Sequence, residues 1–143
     1  MPIRTAIAVW EGRLRDGKGQ FNVESGAIAG DYSFGSRFAQ VGGSNPEELL
    51  AAAEASCYSM ALSDALEKAG MHPERIETRA ACTIEPHDDG WRITRMRLTV
   101  HARVPGADRD TFKDCAEATK SGCPVSMALL GNMELDVSAT LED

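Results

Sequence analysis

Two of the four cysteines stand where a thiol could be made reactive: Cys57 in Glu54-Ala55-Ser56-Cys57-Tyr58-Ser59-Met60, and Cys123 in Gly122-Cys123-Pro124-Val125-Ser126. The thiolate is the nucleophile of protein redox chemistry, and helix starts and nearby cations stabilise it. Cys123 precedes a proline, which suits the first position of a helix, so it sits at or near an N-cap beside unpaired N–H groups. A cysteine that merely fills the cap is the competing reading. Cys57 falls inside an Ala-rich helix on its apolar side, where desolvation raises a thiol pKa. To react it needs a cation, and Arg37, in the segment before that helix, is a candidate. The alternatives are a core cysteine and an ordinary surface arginine. Cys82 and Cys115 fall on apolar faces of a strand and a helix and read as small buried hydrophobes.

The elements that must position these thiols follow from patterning. Ile3 to Glu11 and Gly19 to Ser25 read as strands joined by a Gly17-Lys18-Gly19 turn. Residues 31–38, with Tyr32, Phe34 and Phe38, read as a third strand. A long helix follows Gly42-Gly43-Ser44. Asn45 is its N-cap, Pro46 its first position and Glu48 its capping-box partner. It should run to Ala69, with Gly70 as terminator. Leu50, Ala53, Cys57, Met60 and Ala61 recur at helical spacing and predict the buried face of a central helix. Two alternating segments, Ile76 to Glu85 and Arg95 to Val104, predict strands with one wet face, with Asp89-Gly90 as the hairpin signal. A helix over Asp108 to Lys120 has Phe112, Cys115, Ala116 and Thr119 on its inner side. Cys123-Pro124 opens a shorter helix ending at Gly131, and a strand from Met133 to Leu141 closes the chain. Strands at both ends around helices predict α+β.

The chain has 143 residues, a length that predicts one domain over residues 1–143. At this size roughly 68–70% of the unfolded surface can be buried, so a core needs no disulfide staples. A net charge of −7 repels phosphate and argues against nucleic acid or an anionic membrane as partner. No apolar run reaches the roughly 18 residues of a transmembrane helix. No basic segment with an apolar stretch behind it opens the chain, so a cytoplasmic location is expected. In a reducing compartment, cysteines serve catalysis, metal binding or packing rather than bridges.

Several stretches together resemble the OsmC/Ohr family, the osmotically inducible protein C and organic hydroperoxide resistance proteins. They are Arg37-Phe38, Gly43-Ser44-Asn45-Pro46-Glu47-Glu48-Leu49, Ala55-Ser56-Cys57-Tyr58-Ser59-Met60-Ala61-Leu62-Ser63 and Gly122-Cys123-Pro124-Val125-Ser126. Trp10-Glu11-Gly12, Gly17-Lys18-Gly19, Glu24-Ser25-Gly26 and Val104-Pro105-Gly106 extend the likeness over nearly the whole chain and toward the OsmC branch. The resemblance implies antiparallel sheets packed around a long central helix in an intertwined homodimer. It also implies a thiol-dependent peroxidase, in which Cys57 matches the peroxidatic and Cys123 the resolving cysteine. Arg37 matches the arginine that supports the thiolate, and Glu47 the carboxylate that holds it. Arg13 and Arg15 remain rivals, because the organic hydroperoxide resistance branch takes its arginine from near the first strands. The chemistry so implied is attack of the Cys57 thiolate on a hydroperoxide, a sulfenic acid, condensation with Cys123 to a disulfide, and reduction by a dithiol. Organic hydroperoxides as substrates and a lipoyl-type external dithiol are likewise implied, with no bound cofactor.

Phe34, Phe38, Met60, Met127 and Leu130 could line an access pocket, or simply pack in a core. Glu47 and Cys57 are ten residues apart on one helix, roughly 15 Å along its axis. If they act in one site, Glu47 should therefore come from a second subunit. A non-catalytic stress protein that binds a small apolar ligand is the reading from a different class. A general thiol–disulfide oxidoreductase is disfavoured by the lack of Cys-x-x-Cys. His72, His87 and His101 are isolated, so no metal is expected. Neither Gly-x-Gly-x-x-Gly nor a Walker A sequence is present for a nucleotide.

Overall fold

The computed structural model describes residues 1–142. The chain divides into two compact units, Met1–Leu49 and Leu50–Asp143. The first holds β1 (Ala6–Glu11), β2 (Lys18–Val23), β3 (Ala29–Tyr32) and α1 (Phe34–Phe38). Helix α2 (Pro46–Lys68) starts there and continues into the second unit. That unit then adds β4 (Arg75–His87), β5 (Gly90–Arg103), α3 (Arg109–Gly122), α4 (Pro124–Leu129) and β6 (Glu134–Leu141).

In the first unit β1, β2 and β3 form an antiparallel sheet in that order. Tyr32 packs its ring against Trp10 and Phe21, with centroids 5.6 and 6.2 Å apart. Gly19 lies directly beneath, where a Cβ would stand 2.4 Å from the Tyr32 ring, so only glycine leaves room for this stack. Residues 31–38 are not one strand. The strand ends at Tyr32, and Ser33 caps a short helix. The Ser33 hydroxyl accepts from the Ser36 N–H while the Ser36 hydroxyl accepts from the Ser33 N–H, a reciprocal capping box. Phe34 and Phe38 then meet one turn apart, their rings 5.0 Å from centroid to centroid.

Asn45 caps α2 as expected, its Oδ1 accepting from the Glu48 N–H at 2.8 Å. Glu48 does not complete a box. Its carboxylate accepts from the Ser44 hydroxyl at 2.6 Å instead. Gly70 ends the helix in the left-handed region, and Met71 donates back to Leu66 in the bond that closes a Schellman-type terminus.

The buried side of α2 in the second unit differs from the expected one. Tyr58, Leu62 and Leu66 are fully buried, whereas Ala53 is exposed and Met60 is 75% exposed. The long apolar residues, three to four positions apart, choose the face. The alanines are apolar enough for either side, which is why the sequence pattern misled.

β4 and β5 form a long antiparallel hairpin turning at Asp88 and Asp89, with Gly90 at φ 142° opening β5. β6 joins β5 in parallel, so this sheet is mixed rather than antiparallel. A parallel neighbour requires a crossover, and α3 and α4 supply it. The core packs Tyr58, Leu62 and Leu66 of α2 with Met96, Leu98, Val100 and Ala102 of β5, Phe112 and Ala116 of α3, Leu135 of β6 and Cys123. The Tyr58 hydroxyl is satisfied by donating to the Ala116 carbonyl at 2.6 Å. Cys82 and Cys115 lie half-buried against this core. Leu98 is fully buried at its centre, so Leu98→Ala should cost about 2–5 kcal/mol, measured by urea denaturation at fixed protein concentration.

Candidate functional site

Cys57 and Cys123 come together. Cys57 lies at the start of the fourth turn of α2, half-buried, and Cys123 is fully buried at the junction of α3 and α4. One residue ends one helix and starts the next. Cys123 caps the C-terminus of α3, its N–H donating to the Thr119 carbonyl, and also stands at the N-cap of α4 with Pro124 behind it. That is the position expected from the Cys-Pro pair. Both thiols are free and share a side-chain hydrogen bond. The Val125 N–H, in the first turn of α4, donates to the Cys57 sulfur.

These surroundings hold the Cys57 thiol above its ordinary pKa. Burial is the largest cause, followed by the hydrogen bond to Cys123, and the charges of Cys123 and Glu54 act the same way. Only the Val125 N–H works in the opposite direction. Within the second unit the two thiols thus stand side by side, and no cation is among the causes acting on Cys57.

Sequence reasoning missed Glu54. It lies one turn before Cys57 on α2 and is fully buried. Its Oε1 accepts from the buried Ser126 hydroxyl, and its Oε2 has no hydrogen-bond partner. Burial raises its pKa, with the Ser126 bond partly opposing. The available signal was the i, i+3 spacing of Glu54 and Cys57, matched by that of Cys123 and Ser126.

Arg37 and Glu47 also come together, in the first unit. Arg37 Nη2 donates to Glu47 Oε1 at 2.6 Å, and Nε lies 3.1 and 3.2 Å from the two carboxylate oxygens. Glu47 is buried, so this is a held pair rather than a loose surface one. The guanidinium lies 5.3 Å from the Phe38 ring centroid. Trp10, Leu14, Tyr32, Phe34, Arg37, Phe38 and Pro46 line a cavity of about 270 Å³. Arg15 stacks on the Phe34 ring at 4.8 Å, while Arg13 is turned to solvent against Asp16. Phe34 and Phe38 are thus together on this cavity. Met60, Met127 and Leu130, of the second unit, are 75%, 57% and 40% exposed. Among the described residues no three His, Cys, Asp or Glu side chains gather as metal ligands, and no helix is long and apolar enough to cross a membrane.

Comparisons with known proteins bear on the family and the fold. The sequence profile of the OsmC-like proteins matches residues 39–138. The chain is 43% identical to peroxiredoxin OsmC of Escherichia coli K12 over 130 residues, 90% of this chain and 91% of that protein. It is 28% identical to organic hydroperoxide resistance protein OhrB of Bacillus subtilis over 94 residues, 65% of this chain and 67% of that one. In fold it is similar to the crystal structure of an organic hydroperoxide resistance protein OsmC from Legionella pneumophila, with a TM-score of 0.75 at 20% identity over 98% of this chain and 99% of that one.

Because the Cys123 hydrogen bond and charge both raise the Cys57 pKa, Cys123→Ala should move the midpoint of Cys57 alkylation to lower pH. A series of iodoacetamide rates against pH, followed by mass spectrometry, measures this.

Proposed function

The chain belongs to the OsmC-like protein family, and we propose that it is a two-cysteine peroxidase that reduces organic hydroperoxides in stress defence. The observation that carries the reading is the hydrogen-bonded pair of free thiols, Cys57 and Cys123. The peroxiredoxin name of its 43% identical relative supports it.

In this reading the Cys57 thiolate attacks the outer oxygen of the hydroperoxide. The O–O bond breaks, the alcohol leaves with a proton, and Cys57 becomes a sulfenic acid. Cys123 then displaces the hydroxyl as water and forms the disulfide. An external dithiol of the lipoyl type reduces it by exchange. No bound cofactor is involved.

A thiol held high by burial needs a cation to ionise near neutral pH. Arg37 is the proposed source. Glu47 occupies its Nε and Nη2, which fixes the fork and leaves Nη1 for a thiolate or a peroxide oxygen. The aromatic cavity with Phe34 and Phe38 beside Arg37 suits an alkyl or aryl peroxide tail. Met60, Met127 and Leu130 are proposed to complete that wall.

A rise of roughly 15 Å along α2 separates Glu47 from Cys57, so the Arg37–Glu47 pair is proposed to serve the thiols of a second subunit in an intertwined homodimer. The exposed apolar side chains Ile7, Val9, Ile28, Met60 and Met127 support an interface.

The test is consumption of cumene hydroperoxide and hydrogen peroxide by the reduced protein with a dithiol. Cys57→Ser should abolish turnover. Cys123→Ser should stop at a sulfenate trappable with dimedone, and cumene hydroperoxide should be the better oxidant. Arg37→Ala should slow sulfenate formation by about 10²-fold or more, as loss of a charge-stabilising donor does. Equal slow consumption by wild type and Cys57→Ser would instead favour a non-catalytic apolar-ligand protein. Sedimentation equilibrium should give twice the chain mass, and a monomer would remove the second-subunit role of Glu47.

A further inference from the structure

Closing a disulfide from a sulfenic acid moves a proton. Cys123 must lose one, and the departing hydroxyl must gain one. Cys123 is fully buried, so bulk water is a poor carrier for that proton. Two buried polar side chains that the peroxidase reading leaves unused stand in the same place, Glu54 and Ser126.

Their placement is specific. Glu54 precedes Cys57 by one turn of α2, and Ser126 follows Cys123 by one turn of α4, at the N3 position facing the N-cap. A Ser at N3 ordinarily bonds back toward its own helix start. Here its hydroxyl donates across to Glu54 Oε1. Glu54 Oε2 is buried and takes no hydrogen bond. An orphaned carboxyl oxygen is costly in a core, and a carboxyl kept for packing alone could be replaced by an apolar group at a gain.

We propose that Glu54 and Ser126 form a proton relay that closes the Cys57–Cys123 disulfide. The inference rests on the peroxidase reading above. The Glu54 carboxyl is neutral, with its proton on Oε2. The Cys123 sulfur attacks the Cys57 sulfur, forming the S–S bond and breaking the S–O bond of the sulfenic acid. As it attacks, the Cys123 proton passes to the Ser126 oxygen, and the Ser126 proton passes to Glu54 Oε1. The proton on Oε2 goes to the leaving hydroxyl, which departs as water. The carboxyl and the serine end as they began, with one proton exchanged, and no outside oxidant or base is consumed.

Burial, the largest cause acting on Glu54, favours the neutral acid that this step requires. The titratable groups that feel its charge are Cys57 and Tyr58 of α2, on both of which Cys123 also acts, with Glu117 of α3 acting on Tyr58. No cation is among the causes acting on Glu54. A pKa raised in the folded protein means that the active, protonated form is full at low pH and is lost as pH rises through the raised value.

The experiment mixes the full-length reduced protein with one equivalent of cumene hydroperoxide. It follows the sulfenate by dimedone trapping and the disulfide by loss of free thiol, across a pH series. Wild type, Glu54→Gln and Ser126→Ala are compared. Both variants should close the disulfide about tenfold or more slowly relative to their own sulfenate formation, the scale of a lost acid–base partner. The wild-type closure rate should carry a limb that falls with rising pH, and Glu54→Gln should lack it. Closure at the wild-type rate in the variants, or slowing of both steps by the same factor, overturns the relay. Should Glu54→Gln fail to fold, Ser126→Ala decides by the same criteria. A wild type that forms no sulfenate overturns the peroxidase reading and the relay with it. A wild type that closes its disulfide beside variants that close as fast overturns the relay alone.

Discussion

The first turn of α4 has to meet the buried side of α2. A helix start leaves backbone N–H groups without intrahelical acceptors, and here Pro124 removes one while Val125 gives its own to the Cys57 sulfur. The same turn places Cys123 against Cys57 and Ser126 against Glu54. All of this is polar or reactive, and most of it is closed to water. The surrounding apolar core, with Tyr58 and Leu62 on α2 and Phe112 and Ala116 on α3, excludes solvent from the contact. The remaining architecture supplies that core and sets the angle at which α4 arrives. The parallel placement of β6 beside β5 requires a crossover, and α4 is the part of it that carries Cys123.

Burial has opposite consequences for Cys57 and Glu54. For Cys57 it raises the pKa of the group that the proposed attack requires ionised, and the Cys123 thiol adds to the effect. For Glu54 it favours the neutral acid, which can both accept and donate a proton. In the proposed reaction, a site built this way would hold Cys123 ready while leaving Cys57 unactivated until a cation is supplied. The Arg37–Glu47 pair has the form of such a supply. It is bidentate, half-shielded and backed by aromatic rings. The dimer proposed above would bring the two halves together, so activation would depend on assembly.

Secondary structure was legible wherever one signal dominated. Asn45-Pro46 and Gly70 bound α2 closely, and the strict alternation over β4, β5 and β6 gave strands with the expected inner residues. Errors arose where two periods fit the same residues. Tyr32, Phe34 and Phe38 read as alternation, but Phe34 and Phe38 are also one helical turn apart, and the Ser33–Ser36 capping box decided between them. On α2 the alanines fit any face, so Ala53 and Met60 were assigned inward until Tyr58, Leu62 and Leu66 took the core. The direction of β6 relative to β5 was not written in its own alternation, because a strand's pattern is the same read either way.

The amino-acid sequence sufficed for the family, the α+β class and the residue types of the thiol chemistry, because these rest on local spacing and on identities at a few positions. It also marked Cys123 as a helix-starting thiol, since Cys-Pro is a local signal. It could not show that Cys57 and Cys123 share a hydrogen bond, nor that Glu54 turns inward to Ser126, because each contact joins residues far apart in the chain. The Glu54–Ser126 contact alone spans 72 positions. Burial is likewise a property of the whole packed core. It sets the direction in which Cys57 and Glu54 titrate, and no window of sequence around either residue contains it.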